Sequence, residues 1–353
     1  MYIYMKILSD TKLDYSDVLI VPKHSTVTSR NNVNLETTMH FKRCHIQWTG
    51  KPIIASNMDT IGTFDVYDVL SKHNIITCFH KFYSAEDFAL KYDDSTDNLN
   101  PELFMISSGI NTNDLERLDL IIKSIPVKYI CIDIANGYLQ NFVEACKLIS
   151  NKYPHCVLIA GNVATPEMTE TLIVEGNVDI VKIGIGPGSA CLTRTQTGVG
   201  VPQFSAVLEC AERAHKLNRH VIADGGITSP GDLGKAFGAG ADFIMLGGVL
   251  SGHDENPGEI ILKNEKKYKV FYGMSSEKAM KTHYGAMSNY RSSEGRELTV
   301  PYKGSLEKTV HDYLGGLRST CTYINAESLN VFYERCQFVK VNHQINTIYA
   351  HHN

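Results

Sequence analysis

The stretch 129–160, YICIDIANGYLQNFVEACKLISNKYPHCVLIA, decides the fold. It opens on a short apolar run, Tyr129-Ile-Cys-Ile-Asp-Ile, and closes on another, Cys156-Val-Leu-Ile-Ala. Between them, Leu139 to Ser150 carries apolar residues at helical spacing. Short runs that are apolar at nearly every position read as strands buried on both faces, and strand–helix–strand implies a parallel sheet. The same unit recurs outward in both directions. The other runs are Pro52-Ile-Ile-Ala-Ser, Ile75-Ile-Thr-Cys-Phe-His, Leu103-Phe-Met-Ile-Ser, Ile180-Val-Lys-Ile-Gly, His220-Val-Ile-Ala-Asp and Phe243-Ile-Met-Leu-Gly. A second helical interval is Ser205 to Leu217. Eight such units predict an α/β fold, the (β/α)8 TIM barrel; a doubly wound sheet, the alternative, usually stops at fewer strands.

Polar or glycine residues follow nearly every run: Ser56-Asn-Met-Asp, His80-Lys81, Ser107-Ser-Gly, Asp133-Ile-Ala-Asn-Gly, Gly161-Asn-Val, Asp224-Gly-Gly and Gly247-Gly. In a barrel these ends share one face, the face that carries chemistry. The richest of them is Gly184 to Gly200, GIGPGSACLTRTQTGVG. It sets Cys191 among glycines, hydroxyls and Arg194, a setting in which a thiol becomes reactive. Cys44, Cys78, Cys131, Cys146, Cys156, Cys210, Cys321 and Cys336 read instead as inert, mostly buried thiols.

The whole chain excludes several classes. A formal charge of −4 over 353 residues, with no basic block, argues against nucleic acid as the main partner. Nine cysteines without a CxxC pair or zinc spacing point to a reducing compartment, and the absence of a signal peptide or apolar span predicts a cytoplasmic chain with no membrane partner. Residues 1–353 read as one catalytic domain: no linker interrupts them, and only about twenty residues, Tyr83 to Glu102, separate runs two and three, too few for an inserted regulatory domain. Ser251 to Tyr313 reads as a long loop or flap over the active face, its core at roughly 273–303, and Glu307 to Leu317 as a helix packed on the barrel. The first four residues look like an extension, with Met5 an alternative start.

The cysteine loop, Asp224-Gly-Gly, Gly247-Gly and Tyr272-Gly-Met-Ser together resemble the IMP dehydrogenase/GMP reductase superfamily, and within it the GMP reductase branch. The resemblance runs from Leu13-Asp-Tyr-Ser-Asp-Val-Leu-Ile-Val-Pro to Gly315-Gly-Leu-Arg-Ser-Thr-Cys-Thr-Tyr. Thr197-Gly-Val-Gly-Val-Pro-Gln and Tyr290-Arg-Ser-Ser-Glu-Gly match the reductase pattern, and the flap lacks the Arg-Tyr pair of the dehydrogenases. The resemblance implies NADPH-dependent reductive deamination of GMP to IMP and ammonia. Cys191 is the implied nucleophile on purine C2, with Thr193 and Glu294 protonating the leaving ammonia. Without the resemblance, Glu294 would read as a solvated loop charge and Asp224-Gly-Gly as a turn closing a strand.

By the same resemblance, Asp224 accepts from the ribose hydroxyls, and Gly225, Gly226, Gly247, Gly248, Gly273, Met274 and Ser275 form the nucleotide pocket. Arg291, Ser292, Ser293, Glu294 and Gly295 close over the base. NADPH contacts are implied for Ser29, Arg30, Lys81, Asp133, Ile134, Ala135, Tyr290, Arg291, Ser319, Thr320, Cys321 and Thr322. Arg30 is the candidate for the 2′-phosphate. Lys81 either serves the nicotinamide end with Asp133 or forms a structural ion pair. A monovalent cation, K+, is implied at the loop of Gly186, Gly188 and Cys191 with Arg194 alongside, and a homotetramer is carried over from relatives. Two residues depart from the pattern: Ala190 stands for the usual valine or isoleucine, and Leu192 for the usual threonine. Altered loop packing, not lost activity, is the expectation. Three other readings remain: IMP dehydrogenase, a binding barrel without catalysis, and a flavin-dependent barrel oxidoreductase.

Overall fold

The computed structural model describes residues 7–92, 99–284 and 293–342. Eight parallel strands close into a barrel: β1 (Ile53–Ala55), β2 (Ile76–Phe79), β3 (Phe104–Ser108), β4 (Tyr129–Asp133), β5 (Val157–Val163), β6 (Ile180–Ile183), β7 (His220–Asp224) and β8 (Phe243–Leu246). Each falls on one of the eight apolar runs. The interval after β4 is helical over Gln140–Lys152 and the one after β6 over Gln203–Lys216. The TIM-barrel expectation is thereby met.

Strand alternation builds two cores. Ile54, Ile76, Cys78, Met105, Tyr129, Cys131, Val157, Ile159, Ile180, Ile222, Phe243 and Met245 fill the barrel interior. Their neighbours in sequence, such as Val181 and Ile183, face outward into the larger strand–helix core. A hairpin, Thr37–Phe41 with Ile46–Gly50, delivers Phe41 and Trp48 to the interior cluster, and the Trp48 indole donates to the Glu102 carbonyl at 2.9 Å. Six of the eight cysteines read as inert are buried, and Cys44 and Cys336 are half-buried; burial pushes the Cys336 thiol up to about 12.

The long segment after β8 differs from the loop expected of it. It holds a three-stranded antiparallel sheet, Ile261–Lys263, Lys266–Tyr272 and Glu297–Pro301, followed from Tyr272 by the helix Glu277–Tyr284. Its strands are rich in lysine and mostly exposed, so no apolar run announced them. The C-terminal helix runs Leu306–Tyr323, longer than expected, and packs on the helix Pro230–Gly238.

At the N-terminal ends of β7 and β8 sits a partly buried charge cluster, joined by His215 from the helix before β7. Asp242 pairs with His215 Nε2 at 2.9 Å and His220 Nδ1 at 3.1 Å, and accepts from the Val221 N–H at 2.8 Å. Burial works to raise the Asp242 carboxyl, but the two imidazoles outweigh it and hold it well below the usual range. Its hydrogen bond raises His215; burial works to lower His220, but Asp242 outweighs that and raises it too. A histidine raised in the folded state stabilises fully below its unfolded pKa of about 6.5 and loses that contribution as pH climbs through the folded value. Scanning calorimetry from mildly acidic to mildly alkaline pH is expected to give a falling Tm, and Asp242→Asn to flatten that slope. Parallel slopes for the two proteins would remove the histidine pair as its source.

Candidate active site

A cavity of about 250 Å³ opens where the strands end. Alternation explains its floor. Two residues beyond the interior Cys131, Ile180 and Ile222 come Asp133, Lys182 and Asp224, all aimed inward at the C-terminal rim. Lys182 Nζ lies 2.7 Å from Asp133 Oδ2 and 3.2 Å from Asp224 Oδ2, with only 1% of its side chain exposed. Asn57 donates to Asp133 at 2.7 Å, and Asn162 to Asp224 at 2.8 Å. Gly161 on β5 makes this floor possible, because a Cβ there would stand 2.5 Å from Lys182 Cβ. Burial works to lower the Lys182 ammonium, but the two carboxylates outweigh it and hold it well above its ordinary value. Burial likewise works to raise Asp133, and Lys182 outweighs that to hold it low. Lys182 and Asp133 therefore both stay ionised near neutral pH.

One wall is the glycine loop after β6. Gly186 adopts φ +83, and a Cβ there would meet Arg194 Cγ at 2.5 Å, so only glycine lets the loop fold over that side chain. Arg194 is anchored by Asp14 at 2.9 Å and by the Val201 carbonyl at 2.8 Å. The turn then closes through Cys191 N–H to the Gly188 carbonyl at 3.0 Å, leaving the thiol half-buried in the cavity wall.

The adjoining wall comes from the flap. Cys191 and Gly295 form an antiparallel bridge, Leu192 N–H donates to the Glu294 carbonyl at 2.6 Å, and Arg296 N–H to the Ala190 carbonyl at 3.0 Å. This brings Glu294 onto the cysteine: the thiol donates to Thr193 Oγ1 at 3.3 Å, and that hydroxyl donates to Glu294 Oε2 at 2.7 Å. Ala190 and Leu192 meet the flap through backbone atoms, which any side chain supplies. Behind it, Asp59 accepts from Tyr272 at 2.9 Å and pairs with His283 at 2.7 Å, tying the flap to the loop after β1.

The cavity lining gathers most of the implied substrate residues: Asp224, Gly225, Gly226, Gly247, Gly248, Gly273, Met274, Ser275 and Gly295, with Cys191, Thr193 and Glu294. Ser293 sits beside them, its hydroxyl donating to the Gly295 carbonyl at 2.7 Å. Of the implied cofactor residues, Asp133, Ile134 and Ala135 line the cavity. Lys81 pairs with Asp114 at 3.4 Å rather than directly with Asp133. Ser29 and Arg30 are exposed on a short turn packed against the C-terminal helix. On that helix the Ser319, Thr320 and Thr322 hydroxyls bond back to helix carbonyls, and Cys321 is buried. None of those six lines the cavity. Tyr290, Arg291 and Ser292 lie outside the described residues, as do Met1 and Met5. Of the implied cation residues, Gly186, Gly188 and Cys191 line the wall, while Arg194 turns its guanidinium away to Asp14.

Sequence reasoning passed over Lys182, Asn57, Asn162 and Ser189. Lys182 carried a signal, a lone cation inside a strand otherwise apolar on both faces; the others carried none. Ser56 Oγ and Asn162 Oδ1 are buried in the lining without a hydrogen-bond partner among the described residues, as expected where a polar ligand supplies the missing donors. No helix among the described residues is long and apolar enough to cross a membrane.

Comparison with known proteins bears on the same residues. The IMP dehydrogenase / GMP reductase domain pattern matches residues 12–348. The chain is 51% identical over 346 residues to GMP reductase 1 of Mus musculus, covering 98% of this chain and 99% of that one. It is 50% identical over 346 residues to GMP reductase 2 of Homo sapiens, covering 97% and 98%. Against GMP reductase of Caenorhabditis elegans the identity is 50% over 347 residues, covering 98% and 96%.

Proposed function

The chain belongs to the IMP dehydrogenase / GMP reductase family, and from that premise we propose that it is a GMP reductase, converting GMP, NADPH and two protons to IMP, NADP+ and ammonium. The observation that carries the reading is the hydrogen-bonded line from Cys191 through Thr193 to Glu294, in the wall of a cavity whose floor is acidic at Asp224.

The thiolate of Cys191 adds to purine C2, and a proton passed from Glu294 through Thr193 leaves with the amino nitrogen as the C–N bond breaks. Departure of ammonia leaves a C2 thioimidate. When bound, NADPH supplies the hydride that C2 accepts; the C–S bond then breaks and the thiolate returns. Asp224, fixed by Lys182 and Asn162, accepts from the ribose hydroxyls. Gly226, Gly247, Gly248 and Ser275 bring backbone within reach of the phosphate, beside the Ser189 hydroxyl. Asp133, Ile134 and Ala135 face the nicotinamide end; by the same reading Tyr290 and Arg291 serve the cofactor, and Arg291 and Ser292 the base. Ser29, Arg30 and the helix turn carrying Ser319, Thr320 and Thr322 are assigned to the rest of the dinucleotide, with Cys321 buried beneath that turn.

A purified sample given GMP and NADPH is expected to consume the reductant and release IMP in equal amounts, with no NADH formed from IMP and NAD. Glu294→Gln keeps the fold and the hydrogen bond but has no proton to give. Its turnover with GMP is expected to drop on the order of 100- to 10,000-fold. A Gln variant as fast as the parent would leave the expulsion of ammonia without its acid.

The reading extends to a monovalent cation at the Gly186, Gly188 and Cys191 carbonyls. Backbone carbonyls without a carboxylate can replace the hydration shell of K+, and exchanging K+ for a bulky organic cation tests it through the rate. It extends also to residues 1–353 acting as one catalytic unit in a cytoplasmic homotetramer, for which light scattering after gel filtration is the check. Nine free thiols support the reducing compartment.

A further inference from the structure

Away from the cavity, three side chains from two separate parts of the fold converge. His73 ends the short turn Ser71–His73 that follows the helix Phe64–Leu70 between β1 and β2. Glu307 and His311 lie one turn apart on the C-terminal helix and so share a face. His73 Nε2 is 2.8 Å from Glu307 Oε1, and His311 Nε2 is 2.9 Å from the same oxygen. All three donor atoms lie within 4.8 Å of one another. None belongs to the cavity lining.

The backbones that carry them are fixed. Asn74, at φ 55, ends the His73 turn, and Lys51 holds the His73 carbonyl at 2.7 Å. Ser305 caps the helix, and Glu255 takes the Leu306 N–H at 2.9 Å. A tetrahedral zinc ion with bonds of about 2.0–2.1 Å separates its ligand atoms by about 3.3 Å, so each imidazole–carboxylate pair opens only slightly to admit one, and the two imidazoles lie within 4.8 Å of each other. Two imidazoles select a borderline transition ion over magnesium or calcium. His311 is 66% exposed in its side chain, which leaves the outer side of the cluster to water as a fourth ligand.

We propose that His73, Glu307 and His311 form a binding site for one divalent transition-metal ion of the zinc class, which staples the β1–β2 connection to the C-terminal helix. It is a stability site and takes no part in turnover.

The test uses the full chain after chelation, titrated with zinc sulfate by calorimetry and thermal melting, and with Co2+ followed by absorption. The site predicts one ion per chain and a Tm rise of roughly 5 °C at a hundredfold excess over Kd. The cobalt form is expected to show a visible ligand-field band without a thiolate charge-transfer band. His311→Ala, on an exposed position, and Glu307→Gln are each expected to weaken binding on the order of tenfold or more. His311→Ala keeps the metal-free melting temperature and the NADPH-dependent rate. Absence of saturable binding, equal binding by parent and variants, or a thiolate band on the bound cobalt would each overturn the site.

Discussion

Cys191→Ser is expected to stop turnover of GMP while leaving GMP bound. A serine hydroxyl at this position keeps the hydrogen bond to Thr193 but is far harder to deprotonate than a thiol and leaves carbon poorly. Loss of a covalent nucleophile costs about ten-thousand-fold or more in rate. The rest of the nucleotide pocket, Asp224 and the glycines of β7 and β8, is untouched, so affinity for GMP should stay within a few-fold. Cys191 is half-buried in a loop, so stability should hardly move. Single-turnover oxidation of NADPH, with calorimetric GMP binding alongside, makes the measurement. A serine variant within tenfold of the parent rate would end the covalent mechanism. Parallel loss of binding would instead point to a collapsed loop.

Lys182→Met is expected to cost folding stability on the order of 3–5 kcal/mol near pH 8. Methionine fills the barrel interior but leaves Asp133 and Asp224 facing each other without a cation. In the parent, Asp133 is held low by Lys182, so that contribution is present above the unfolded carboxyl pKa and lost as pH falls through the folded value. In the variant the sign reverses: burial and mutual repulsion raise the carboxyls above their unfolded values, the folded state takes up protons more readily, and stability recovers as pH falls. Urea unfolding at about pH 8 and about pH 5 should therefore show the gap narrowing on acidification. A deficit below about 1 kcal/mol, or one independent of pH, would show that the pair is not the counter-charge of the floor.

The barrel was legible because each of its strands is a short run apolar on both faces, spaced from the next by a helix-length interval. The same property hid Lys182. Inside Ile180-Val-Lys-Ile it passed for part of a core strand, and only the closure of the barrel shows its side chain rising between two aspartates. The flap sheet was illegible for the opposite reason. Tyr268–Tyr272 pairs with Glu297–Pro301 with only Lys269 and Phe271 buried along it, so its order comes from partners about thirty residues away rather than from a continuous buried run. Glu294 carries no local signal; only resemblance nominated it, and only the bridge between Cys191 and Gly295 brings it against the thiol line. The spread of the implied cofactor residues between the cavity and the C-terminal helix had no counterpart in the sequence.

The charged floor sets which way round a ligand goes in. One cation set against two carboxyl groups leaves the bottom of the cavity with an excess of acidic groups, Asp133 being held ionised by Lys182 against the effect of burial. A dianionic phosphate is repelled from that end and drawn to the glycine-lined rim, while hydroxyl groups are drawn toward Asp224 as donors. A nucleotide entering the barrel is thus sorted head from tail before any group on its base is recognised. The inverted pose, with phosphate down, is refused by electrostatics alone.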